Sequence, residues 1–219
     1  MSGGGSGGGG AMVSPFLVGP GVYLRPHLPS DLESDWHQWF NDPEVNRFLH
    51  HGVFPNTRER QAAFFEELRA RHEARSHLQL AIVERDTGDF VGVISLGSLD
   101  WVHRNAELAV VIGRTGSRGR GVGSEAVALV LHHAFMKMNL HRVWASQHAG
   151  LARAREVLRR DFGFRDEGTL REAMCRDGEF HDLVLVGLLA REWRQLLDDS
   201  GGTLAGMLLR IAGREAEPG

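Results

Sequence analysis

"GRTGSRGRGVGSEA", residues 113–126, holds five glycines and three arginines in fourteen positions. It runs straight into "VALVLHHAFMKM", residues 127–138, which is apolar at helical spacing. A helix N-terminus presents unpaired backbone N–H groups and the positive end of the dipole. Glycines ahead of it let an anion reach the backbone, and arginine adds forked donors that suit phosphate. Arg118–Ser124 therefore reads as a phosphate cradle heading a helix over roughly 122–138. Val127, Val130, Leu131, Ala134, Phe135 and Met138 share one face of that helix. A glycine-rich surface loop is the competing reading on spacing alone.

Outward from the cradle, "NAELAVVIG" before it and "HRVWAS" after its helix read as strands, and "LARAREVLRRD" as the next helix. "HLQLAIVER" and "FVGVISLGSL" form a hairpin across "DTGD", and "GTLREAMC" with "EFHDLVLVGLL" form another around Asp177–Gly178. "REWRQLLDD" follows as a helix end or strand exit. Upstream, Val22–Arg25 reads as a short strand, and Asp31 as the cap of one helix through "LESDWHQWFND". Thr57 reads as the N-cap of a helix with Ala62, Phe65 and Leu68 on one face. The order gives a mixed α/β (α+β) domain rather than a regular βαβ alternation. Residues 1–14 read as a flexible Gly/Ser spacer, 15–198 as the domain, and 199–219 as an appendage with one short helix.

Composition excludes several classes. A net charge of −3, with no Lys/Arg-rich run, gives no reason to expect nucleic acid. No apolar run reaches ~18 residues, and the N-terminus lacks a charged region followed by an apolar one, so neither a membrane span nor a signal peptide is expected. The single cysteine, Cys175, rules out an internal disulfide and suits a reducing cytoplasm. His72 and His77 are five apart, which sets them on different helix faces, and adjacent histidine pairs share no face; no metal site is expected.

Nucleotide motifs fit the cradle poorly. Gly116 and Gly121 have Walker spacing, but Val122 sits where lysine is required. A dinucleotide fingerprint from Gly119 ends on Ser124 rather than glycine. Arg118-Gly119-Arg120-Gly121-Val122-Gly123 fits Arg/Gln-x-x-Gly-x-Gly/Ala in full. Here the chain resembles the GNAT acyl-CoA N-acyltransferases. "DFGFRDEGTLREAMCRDGEFHDLVLVGLLAREW" and "YLRPHLPSDLESDWHQWFNDPEVNRFL" are similar to the ribosomal-protein N-acetyltransferase (RimJ/RimL-like) branch, over roughly residues 20–195.

The resemblance implies a GNAT fold with a mixed, mostly antiparallel sheet flanked by helices and open at its centre. It implies acetyl-CoA as cosubstrate, a primary amine as acceptor, and a monomer or homodimer without metal. The acceptor is a protein N-terminal α-amine or a small-molecule amine (amino sugar, amino acid or antibiotic). Arg118, Gly119, Arg120, Gly121, Val122, Gly123 and Ser124 would hold the pyrophosphate, and pantetheine would pair along Val110, Val111 and Ile112. The thioester carbonyl would meet N–H groups near Val111–Ile112.

Direct attack needs a neutral amine. At pH 7 roughly a tenth to a fifth of an α-amine is neutral, against about one lysine in a few thousand. A base is therefore useful, and Glu107 occupies the family's place for it. The tyrosine that many members use as acid is absent, since the chain's one tyrosine is Tyr23; the usual asparagine at the next helix is also missing. Ser146 and His148 are the local substitutes, expected just after the strand. The departures keep a non-catalytic acyl-CoA-binding module as the alternative. Trp36 and Trp39 read as core, Cys175 as a packed or half-exposed hairpin residue, and "HHGVFPNTRER" as the acceptor-facing loop. Glu33, Asp35, Glu44, Glu66 and Glu67 are candidates to attract a cationic acceptor.

Overall fold

The computed structural model describes residues 14–49 and 53–215. Its frame is one eight-stranded sheet: β1 (Leu17–Val18), β2 (Val22–Arg25), β3 (Leu78–Glu84), β4 (Phe90–Asp100), β5 (Asn105–Ile112), β6 (Arg142–His148), β7 (Arg165–Arg176) and β8 (Glu179–Leu189). The spatial order is β1-β2-β3-β4-β5-β6-β8-β7. Every neighbouring pair is antiparallel except β5 and β6, which run parallel. The chain makes that parallel step by crossing over through the cradle and a helix, as a parallel pair requires. This is the mixed, mostly antiparallel sheet expected.

Among the described residues, seven α-helices flank the sheet: α1 (Trp36–Trp39), α2 (Pro43–Asn46), α3 (Arg58–Glu73), α4 (Val122–Met136), α5 (Ala152–Phe162), α6 (Ala190–Asp198) and α7 (Leu204–Glu215). The β alternation divides the apolar side chains between two faces. Ala106, Leu108, Val143, Ala145, Val184, Val186 and Leu188 join the main core, with Val127, Val130, Leu131, Ala134 and Phe135 of α4. On the opposite face Trp36 and Trp39 of α1 pack with Phe65 and Leu68 of α3 and Val93 of β4. The predicted α4 face and the core roles of both tryptophans hold, and Thr57 caps α3 by accepting the Arg60 N–H at 3.2 Å.

The first helical region differs from its expectation. "LESDWHQWFND" is not one helix but a 3-10 turn over Pro29–Glu33 followed by the four-residue α1, with α2 separate. Ser34 is extended, and Pro43 lacks the N–H that a continuing helix needs. Asp31 caps nothing downstream. Its carboxylate accepts the Leu28 N–H at 2.8 Å and the buried Arg25 guanidinium at 2.7 and 2.8 Å. "REWRQLLDD" is helix α6, and Cys175 is exposed rather than packed.

Helix α7, in the segment read as an appendage, buries Met207 and Ile211 in the main core beside α4. Arg210 donates to the Asp161 carbonyl at 3.0 Å and Arg214 to the Arg160 carbonyl at 2.6 Å, which ties α7 to the end of α5.

Candidate functional site

The parallel pairing of β5 with β6 covers only Asn105–Glu107 against Arg142–Trp144. Beyond Glu107 the strands part. Leu108–Ile112 stay paired with β4, and Ala145–His148 with β8. The result is a wedge with unpaired backbone on both sides. The Gly113 N–H donates to the Val91 carbonyl at 3.0 Å. By the antiparallel alternation, the N–H groups of Leu108, Val110 and Ile112 then face the wedge, and that of Val111 faces β4. Of the expected stretch Val111–Ile112, the Ile112 N–H faces the wedge and the Val111 N–H does not; Val110 presents the next inward-facing N–H.

Glu107 lies at the apex of the wedge and is partly buried. The Ser146 hydroxyl donates to its Oε1 at 3.2 Å, joining β6 to β5 where backbone pairing has stopped. Ser146 and His148 lie within β6, not after it. Being two apart, they share the face opposite α4. His148 is buried, and its Nδ1 accepts the Gly150 N–H at 2.9 Å. Its ring lies 5.0 Å from that of Phe48 and 4.6 Å from that of His181. Burial first, then the charges of His181 and Arg176, hold its pKa below the usual histidine value. A neutral imidazole accepting at Nδ1 carries its proton on Nε2, so His148 offers a hydrogen-bond donor there rather than an acidic imidazolium.

The cradle begins where the wedge-facing strand ends. Gly121 takes the left-handed conformation, φ 79°, at the N-cap of α4, and Gly119 does the same at φ 73°. Val122, Gly123 and Ser124 open the helix and have no carbonyl one turn earlier to bond. A Cβ added at Gly123 meets only the Ile112 side chain, at ordinary contact distance (3.6 Å). Arg118 is engaged inward: its Nε donates to the Ile112 carbonyl at 3.1 Å and one terminal nitrogen to the Gly113 carbonyl at 3.2 Å. Arg120 is the exposed arginine of the pair and sits 3.3 Å from Glu84. Glu125, also in the first turn of α4, points away from the cradle and accepts the Gly21 and Val22 N–H groups at 2.9 and 3.0 Å.

Four of the five acidic residues proposed to attract an acceptor face arginines. Glu33 pairs with Arg58, Glu44 with Arg118, Glu66 with Arg69, and Glu67 with Arg60 and Arg71. Of the expected acceptor loop, His50, His51 and Gly52 lie outside the described residues. Among the described residues, no group of three or more metal-binding side chains occurs, and no helix is long and apolar enough to cross a membrane. Sequence reasoning missed Phe48, Gly150 and His181 around His148. Their meeting depends on packing between α2, the β6–α5 turn and β8, which no local pattern carries.

A family model described as an acetyltransferase (GNAT) domain matches residues 22–165. The chain belongs to the GNAT acetyltransferase family. YdaF of Bacillus subtilis (strain 168), described as a ribosomal N-acetyltransferase, is 37% identical over 106 residues, which span 48% of this chain and 57% of that relative. The spermidine N(1)-acetyltransferase of Escherichia coli (strain K12) is 24% identical over 183 residues, 84% of this chain and 94% of that one. Mycobacterium smegmatis RimJ, solved in complex with CoA-disulfide, superposes with a TM-score of 0.75 at 26% identity, covering 92% of this chain and 94% of RimJ. This GNAT protein is thus an N-acetyltransferase of the RimJ-like branch.

Proposed function

We propose that the protein transfers an acetyl group from acetyl-CoA to a primary amine by direct attack, with a peptide or protein N-terminal α-amine as first choice. The wedge carries this reading: an unpaired strand edge runs from a glycine cradle at one end to a glutamate at the other. Five residues of extended strand, about 17 Å, separate Ile112 from Glu107. That is the span of an extended pantetheine arm, whose two amides suit the wedge-facing backbone groups around Val110; the Ile112 carbonyl is already engaged by Arg118. The N–H groups of Val122, Gly123 and Ser124 and the Arg120 guanidinium would meet the pyrophosphate, while Arg118 holds the loop to the end of β5. RimJ of Mycobacterium smegmatis, solved with CoA-disulfide, supports the choice of cosubstrate.

At the apex, Glu107 would take the proton of the attacking ammonium, directly or through water, with Ser146 orienting its carboxylate. The amine nitrogen then bonds to the acetyl carbon, the thioester C–S bond breaks, and the leaving thiolate takes up the second proton that the nitrogen sheds as the amide forms. A single wedge-facing N–H of β5, that of Val110 rather than Ile112, would receive the carbonyl oxygen. A thiolate is a tolerable leaving group, so the missing tyrosine does not stop the reaction.

Calorimetric titration with acetyl-CoA tests the cradle. Gly123→Glu has room and a helical backbone, so it folds, yet it sets a carboxylate among the phosphate donors. Affinity should fall by at least tenfold with the melting temperature unchanged or raised; unchanged affinity defeats the cradle. Glu107→Gln should leave acetyl-CoA binding intact and lower kcat by about a hundredfold, in line with loss of a general base.

A further inference from the structure

Residues 46–49 are drawn onto the end of β7, where the Arg176 guanidinium donates to the carbonyls of Asn46 (3.1 Å) and Leu49. That contact lays Phe48 against His148 and sets the Arg47 guanidinium 5.2 Å from the centre of the Phe48 ring. His181 flanks His148 as well. Two arginines and two histidines therefore gather on the face of the sheet that carries Glu107 and Ser146. Glu179 lies opposite Arg176 across the β7–β8 hairpin, and the other nearby carboxylates are engaged locally. Glu44 faces Arg118 at 3.8 Å, Asp182 accepts the Glu172 N–H at 2.8 Å, and Asp42 caps α2 through the Glu44 N–H.

His148 sits inside this cluster, against Phe48 and His181. After burial, the charges of His181 and Arg176 are what disfavour its cationic form. The same field disfavours a second cation brought by a substrate. It leaves the reacting ammonium itself to Glu107, one step along β6 through Ser146. A polyamine, with further ammonium groups a few bonds from the reacting one, meets repulsion here. An amine with a nearby carboxylate meets attraction.

We propose that the preferred acceptor carries an anionic group a few bonds from its amine, and that the exposed Arg47 is a specificity-determining residue that faces this group. The proposal rests on the acetyl-transfer reading above. It separates this chain's acceptor from the spermidine named for several of its relatives.

The test compares kcat/KM for two peptide amides, Ser-Asp-Gly-Gly and Ser-Lys-Gly-Gly, with spermidine and with free aspartate and glutamate. The acidic peptide should exceed the basic one roughly fivefold, as expected for a unit charge several ångströms away near a protein surface. The difference should shrink as salt is raised. Arg47→Gln should abolish the discrimination and Arg47→Glu invert it, with melting temperatures unchanged because the side chain is exposed. Activity on the free amino acids but not the peptide places the anion on the acceptor's own α-carboxylate; the reverse places it along a peptide. Equal rates on both peptides, or faster acetylation of spermidine, overturns the charge proposal alone. Failure of acetyl-CoA to bind in the parallel calorimetric titration brings down the acetyl-transfer reading, and this proposal with it.

Discussion

Asp31 shows how one side chain fixes the entry to the acceptor side. Burial alone would raise its pKa. The Arg25 fork, His27 and the Leu28 N–H outweigh burial and bring it down to about 2. Stability from this carboxylate is therefore complete above its unfolded value, 3.8, and is lost as pH falls through the folded value. The shift corresponds to about 2 kcal/mol. Asp31→Asn should cost about 3–5 kcal/mol near neutrality, because Arg25 is left buried without its counter-charge. Measured by denaturant unfolding, the gap between wild type and variant should narrow by about 2 kcal/mol between pH 5 and pH 2. A gap that stays constant would show that Asp31 carries no such coupling. His27 works in the same sense, over a higher pH range. Its pKa lies below 6.5, burial being the chief cause, so protonation favours the unfolded chain and stability declines as pH drops below that value.

At the scale of elements, the cradle depends on how α4 is anchored. Its first turn is tied to β2 by Glu125, against which a side chain at Gly19 would collide. On the opposite face the end of β5 meets α1 at Gly113, where a Cβ would run into the Trp39 indole. Glu125→Ala removes the acceptor for two N–H groups, one of them on buried Val22, and should cost about 1–3 kcal/mol. Amide exchange at Gly21 and Val22 should accelerate while β3 and β4 keep their protection. Unchanged exchange at those two amides would mean that α4 is held by apolar packing alone. The glycine run and the apolar period of α4 were legible in the sequence because both are local. The wedge was not derivable from the residues. "NAELAVVI" and "RVWASQH" look alike as strands, and their parting after Glu107 follows from which neighbour each keeps, β4 or β8. For the same reason the donor set shifted from Val111 to Val110: register decides which N–H faces inward. The break of the first helical region was half legible, since Pro43 was visible but the capture of Asp31 by Arg25 was not.

On the scale of the whole molecule, the open question is what folds as one unit. The sequence put the end of the domain at residue 198 and read residues 199–219 as an appendage with one short helix. The described contacts argue for inclusion. Met207 is fully buried and Ile211 nearly so, within the core that contains Phe135, Val143 and Trp193. Arg210 and Arg214 reach the last carbonyls of α5, where orphan acceptors would otherwise face solvent. α5 follows directly from β6, the strand that bears Ser146 and His148, so α7 supports the wall of the wedge from behind. A chain ending at Asp199 should therefore lose at least about 4 kcal/mol, since emptying each large apolar position from a core costs about 2–5 kcal/mol. Its thermal transition should stay single but fall by roughly 10 °C. If the transition temperature and denaturant midpoint are unchanged, residues 200–215 are a separable tail and the unit ends where the sequence suggested. If the midpoint falls while acetyl-CoA affinity is kept, α7 buttresses the fold without shaping the cradle.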